Sequence, residues 1–178
     1  MHQDSLVRVP GIALSVRQPW AWAIIHAGKD IENRTWHAVD SGRMRVGRIA
    51  IHASKGLTQA EYREAADFML ALGVRCPAPC DLLRGGIIGA VDVIDIVKTS
   101  TSPWFQPAPI ASRPRGLVLA NPQACAYVPA VGQLGYFNWK PADPPVAPEP
   151  ALWMLAKPEP ETVPDPGVVQ IDLFSEAS

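Results

Sequence analysis

The chain has 178 residues with 16 Lys+Arg, 17 Asp+Glu and a formal net charge of −1, a length that suits one sizeable core rather than two full domains. Three cysteines, an acid-containing Met1 to Pro10 segment without an apolar leader core, and no apolar run near the ~20 residues of a membrane helix point to a cytoplasmic protein with no membrane partner. The small net charge hides an asymmetry: residues 1 to 142 carry 15 Lys/Arg against 10 Asp/Glu, and residues 143 to 178 carry one Lys against seven acids, which permits a polyanionic partner for the body.

After an N-terminal arm (1 to 10), Ile12 to Val16 reads as a strand. Gln18-Pro19 opens a helix, because proline's fixed φ suits a first helical turn and its missing N–H is not needed there, and Gly28 closes it. Trp20, Ala23, Ile24 and Ala27 recur at helical spacing as an apolar stripe. Ile31 to Trp36 follows as a strand and Ser41-Gly42 as a turn. Ile49 to Ala53 alternates like a half-buried strand. Thr58-Gln59-Ala60-Glu61 is a capping box, and Tyr62, Ala65, Ala66, Met69 and Leu72 form the stripe of a second main helix that Gly73 stops.

Cys76-Pro77-Ala78-Pro79-Cys80 has the outline of half a zinc site, but no second Cys/His pair lies at finger-like distance, so neither metal nor cofactor is expected. Gly85-Gly86 introduces Ile87 to Val97, a long central strand expected to be kinked at Asp92 and Asp95. Thr99 to Pro114 is a long loop in which Trp104 reads as a lid or rim residue. Gly116 to Ala120 and Gly132 to Lys140 complete the strands. Many short strands around two helices suggest a small mixed barrel of the α+β class.

From Pro141 the composition changes, with nine prolines up to Pro166, which favours extended chain. Ala151 to Ala156 interrupts this Pro-rich, acidic segment (141 to 169) as an apolar island expected to dock on the body.

Several blocks, in order, resemble the ASCH domain family. They are Leu14 to Trp36 (LSVRQPWAWAIIHAGKDIENRTW), Gly47 to Lys55, Gly89-Ala90-Val91, Ser102 to Phe105 and Gly132 to Phe137, and they are most similar to the branch found in a transcriptional coactivator. The resemblance covers roughly Gly11 to Lys140 and implies a PUA-like β-barrel with a cleft, a fold used for RNA and modified-base recognition. It also implies that Lys29, Glu32 and Arg34, matching a glycine-lysine-x-x-glutamate-x-arginine pattern after Gly28, line that cleft. Lysine and arginine suit phosphates, Glu32 and Asn33 suit a base edge, and a tryptophan such as Trp104 suits stacking. Core packing is the expectation for Trp20 and Trp139. Arg17, Gln18 and Lys55 complete the candidate ligand-binding set.

Some relatives in the family hydrolyse N4-acetylcytidine with a lysine, a threonine three residues later and a distant glutamate. Here Lys29 matches, but Glu32 stands at the threonine position, and a carboxylate beside Lys29 favours its protonated form. If the chain is an enzyme, as an amidohydrolase or ribonuclease, Lys29 and Glu32 are the catalytic candidates. His52 with Lys55 can be imagined as an acid/base pair for RNA cleavage. A nucleoside-sensing binder is a further alternative. Near the end, Gln170-Ile171-Asp172-Leu173-Phe174 resembles the bacterial sliding-clamp-binding pentapeptide, with Gln170, Leu173 and Phe174 as its anchors. The favoured expectation is an RNA- or DNA-binding module that the clamp tethers through this tail.

Overall fold

The computed structural model describes residues 9–106, 111 and 113–155. Chain order is β1 (Ile12–Val16), α1 (Trp20–His26), β2 (Ile31–Thr35), α2 (Trp36–Ser41), β3 (Gly47–Ala53), α3 (Gln59–Ala71), β4 (Gly86–Val97), β5 (Pro114–Pro129) and β6 (Tyr136–Asn138), with 3₁₀ turns at Pro79–Asp81 and Leu152–Met154. The strands form one sheet in the order β2-β5-β4-β3-β1-β6. Within it β1 and β3 run parallel, and the other neighbours are antiparallel.

This is an α+β architecture, as expected, built on a curled half-barrel sheet whose edges are β2 and β6. Two bonds bring the edges toward each other. Arg34 of β2 reaches across to donate to the Ser15 carbonyl of β1 at 2.8 Å. At the other end of the curl, the Tyr136 N–H of β6 donates to the Gly42 carbonyl, just past α2, at 2.9 Å. A Cβ at Gly42 would lie 2.8 Å from the Gly135 Cα, and one at Gly135 would lie 2.5 Å from the Gly42 Cα. Two glycines back to back therefore let α2 span the gap between the edges.

Helix α1 lies in the curl. Ala21, Ile24 and Ile25 pack with Leu14, Ile51, Val91 and Leu117 as one core cluster, and α3 closes over α1 through Met69, which packs with Ala23, Ile31 and Trp104. The capping box is present: the Thr58 hydroxyl accepts from the Glu61 N–H at 3.2 Å, and Glu61 accepts from the Thr58 N–H at 2.9 Å. Met154 docks among Leu57 and Leu82. No helix among the described residues is long and apolar enough to cross a membrane.

Several elements differ from the sequence expectation. The strand from Ile31 stops at Thr35, whose hydroxyl accepts from the Ala38 N–H at 3.2 Å and so caps a third helix, α2. β3 is buried on both faces rather than one, with Ile49 and Ile51 in the main core and Ala50 in a second cluster beneath Phe137. β5 runs 16 residues instead of five. The added length passes through Asn121-Pro122, where Asn121 adopts φ 52° and the pairing jumps from Ala90↔Gln123 to Asp92↔Ala120. The jump is a bulge, one of the few places where a sheet accepts proline. The Gly132 to Lys140 strand shrinks to Tyr136–Asn138.

Candidate functional site

Lys29, Glu32 and Arg34 meet as one charged array, inside the protein rather than at its rim. The turn after α1 drops Lys29 under the Trp20 ring, 5.7 Å from its centroid, where its ammonium also donates to the Ile31 carbonyl. Glu32 bridges the two cations, with one carboxylate oxygen 3.3 Å from Lys29 Nζ and the other 3.1 Å from an Arg34 Nη. Lys29 and Glu32 are 3% and 7% exposed. Burial pushes the Lys29 ammonium below its ordinary range, and the Glu32 charge opposes that shift. The direction is opposite to the one expected from the neighbouring carboxylate alone, because desolvation outweighs it. Arg34 Nε is buried with no partner among the described residues.

The other expected site residues scatter. Arg17 is exposed and ion-pairs with Glu61. Gln18 is buried as a brace: its amide donates to the Leu83 carbonyl at 2.7 Å and its oxygen accepts from the Trp22 N–H at 3.0 Å. Asn33 pins the loop that precedes β5, donating to the Trp104 carbonyl at 2.9 Å and accepting from the Gln106 N–H at 3.0 Å. Trp104 is therefore no lid. It is 6% exposed, packed with Phe68 at 6.2 Å between centroids. Trp20 packs edge-on against Phe68, and half-buried Trp139 donates from its indole to the Pro10 carbonyl at 2.6 Å. Trp36 is the exposed one, with the Arg113 guanidinium 5.6 Å above its ring.

A cavity of about 1230 Å³ opens beside Ser15, the residue whose carbonyl Arg34 holds. Ser15 and His52 form part of its wall, with Lys55, Arg84, Gly132 and Gln133. The Pro-rich segment supplies another side through Val146, Pro148 and Glu149. Of the residues named as ligand-binding from sequence, only Lys55 lines it. Arg84 is held in place by the Lys55 and Glu149 carbonyls at 2.8 and 3.0 Å. His52 is 2% exposed, and burial pushes its imidazole below the ordinary 6.5.

Sequence reasoning passed over Ser15, Arg84 and Gly132. Ser15 had a signal, since it lies in the Leu14 to Trp36 block, but only the strand register of the fold places it beside His52. Gly132 had one as the first residue of the Gly132 to Phe137 block, and Arg84 had none short of the fold. Among the described residues no group of three or more His, Cys, Asp or Glu could hold a metal ion. Gln170, Leu173 and Phe174 lie outside the described residues.

A family model for the ASCH domain matches residues 14–151. The chain belongs to the ASCH domain family. The match runs past Lys140 and takes in Val146 and Pro148 of the cavity wall. Activating signal cointegrator 1 of Homo sapiens is 35% identical over 88 residues, covering 49% of this chain and 15% of the relative. The protein of that name from Mus musculus is 32% identical with the same coverage. The chain thus aligns with under a sixth of either relative's length. Among solved structures, the crystal structure of a mutant ZmASCH protein from Zymomonas mobilis is similar at a TM-score of 0.37 and 15% identity, covering 66% of this chain and 72% of that one.

Proposed function

We propose that this ASCH domain binds a single-stranded RNA segment, placing one nucleotide in the cavity and running the flanking phosphates past Lys55. The observation that carries this reading is the cavity itself. At about 1230 Å³ it exceeds what a single small ligand needs, and two cations, Lys55 and Arg84, share its wall with Gln133, an amide able to read a base edge. The Lys29-Glu32-Arg34 array serves this site from behind. It holds the Ser15 carbonyl through Arg34, and it adds a net positive charge next to the wall. Arg34, with a side chain 23% exposed, is its member best placed to extend the phosphate track.

Titration of the full chain with labelled single-stranded RNA, single-stranded DNA, duplex DNA and free nucleosides tests the reading. RNA binding should weaken roughly tenfold or more between about 50 and 200 mM salt, as neutralising two or three phosphates requires, and Lys55→Ala should flatten that dependence. Saturable nucleoside binding without salt-sensitive polymer binding would replace this reading with a small-molecule sensor, which the walled cavity would also suit. No saturable binding of any of the four would reject both. Tethering to a bacterial sliding clamp through Gln170, Leu173 and Phe174 is a separate part of the proposal, resting on the tail sequence.

A further inference from the structure

We infer that Ser15 and His52 form a nucleophile and general-base pair for transfer of an acyl group to water, acting in the cavity on a carboxylic ester. This goes beyond nucleic-acid binding and uses neither Lys29 nor Glu32; of the residues that the sequence suggested for acid/base chemistry it takes His52, with Ser15 as a new partner.

Ser15 of β1 and His52 of β3 are register partners in the parallel pair. Ser15 Oγ lies 3.1 Å from His52 Nδ1, and His52 Nε2 lies 3.0 Å from the Ala130 carbonyl oxygen. The second contact fixes the tautomer, because a carbonyl only accepts and so Nε2 carries the hydrogen. Nδ1 is then bare, and the Ser15 hydroxyl donates to it. A backbone carbonyl here does what an oriented third group does for other serine–histidine pairs. Burial of the imidazole keeps it neutral, the state a base needs.

The space beside the hydroxyl is open for a reason written in the sequence. A Cβ at Gly132 would stand 2.8 Å from Ser15 Oγ and 2.5 Å from His52 Cε1, so any other residue there would press on both members of the pair. Ser15, His52 and Gly132 all line the cavity, as do the cations Lys55 and Arg84, whose charge favours an oxyanion and a carboxylate product.

In the first step Ser15 Oγ bonds to the acyl carbon and its proton passes to His52 Nδ1. The bond from that carbon to the leaving oxygen breaks, and the leaving alcohol takes the proton from Nδ1. Water, the co-reactant, then bonds to the acyl carbon and gives a proton to Nδ1. The Ser15 ester bond breaks, that proton returns to Oγ, and the carboxylic acid departs. No electrons are exchanged with another reagent.

The test is labelling of the full chain with an alkyl fluorophosphonate, read by intact mass and peptide mapping, with p-nitrophenyl acetate hydrolysis alongside. A single adduct on Ser15 is expected, absent in Ser15→Ala and slowed at least ~100-fold in His52→Gln, the usual worth of a positioned base. Ser15→Cys should be alkylated by iodoacetamide at neutral pH faster than the three native cysteines, a readout that does not depend on His52→Gln folding. No adduct on the wild-type chain, an adduct elsewhere, or equal labelling in a folded His52→Gln variant would overturn the inference and leave the Ser15–His52 bond as a cross-strand contact. RNA titration of the same samples reads the binding proposal independently.

Discussion

Arg34 and Ser15 lie on strands four places apart in the sheet order, yet the arginine donates to the serine's carbonyl at 2.8 Å. That bond ties the charged array on one edge of the curl to the wall of the cavity. The array therefore affects stability and site geometry together.

Removing Glu32 should expose this. Glu32→Ala leaves two cations with no counter-charge in a buried setting, and breaking a buried pair costs about 3–5 kcal/mol. Urea denaturation should show a loss of that size. A loss under about 1 kcal/mol, the range of surface ion pairs, would mean that the array is effectively solvated.

Acid should weaken the fold in two separate windows. His52 has a folded pKa below its ordinary 6.5, so the unfolded chain takes up a proton that the folded chain refuses, and stability declines as pH falls from about 6.5 toward the folded value. Asp92, held low by Asn121 and Arg48, and Glu61, held low by the Thr58 N–H, have folded values below 3.8 and 4.5. Their contributions are intact above those ordinary values and disappear only at lower pH. Melting temperatures from about pH 8 to about pH 5 should fall for the wild type and stay flatter for His52→Gln. Equal slopes would remove His52 from this account.

Trp104 separates a core reading from a lid reading. Its truncation to alanine should cost about 3–5 kcal/mol, as deletion of a buried aromatic does, with far-reaching loss of protection in hydrogen exchange. A variant with wild-type stability and altered RNA affinity alone would restore the lid.

The docking of Leu152–Met154 gives a milder test. Met154→Ala should cost about 2–4 kcal/mol, since the side chain is 2% exposed between Leu57 and Leu82. Thermal melting would read it, and an unchanged transition would contradict the packing.

For the tail, a pull-down with purified bacterial sliding clamp should retain the wild-type chain and lose the Leu173→Ala, Phe174→Ala double variant. Equal retention of both would reject the tether.

Much of this fold was legible in local pattern. The capping box at Thr58, the stop at Gly73 and the long strand from Ile87 depend on neighbours in sequence, and the structure has all three. What was hidden depends on contacts between distant segments. Thr35 caps a helix without an acidic partner at position 38, so the local signal was weak. Asn121-Pro122 has turn chemistry, but pairing with β4 turns it into a bulge. The charged triplet could be named from sequence, whereas its burial could not, because desolvation belongs to the assembled fold. The Ser15–His52 pairing needed strand register as well as residue identity.

The Pro-rich segment forms one side of the cavity, while the sheet that carries Ser15 and His52 forms another. On the proposed reading of the cavity, scaffold and selectivity are divided between different stretches of chain. Insertions or substitutions between Ala142 and Ala151 can reshape what enters without disturbing a single strand pairing. An engineer who trims the chain at Lys140, where its composition changes, would keep the sheet and discard the gatepost.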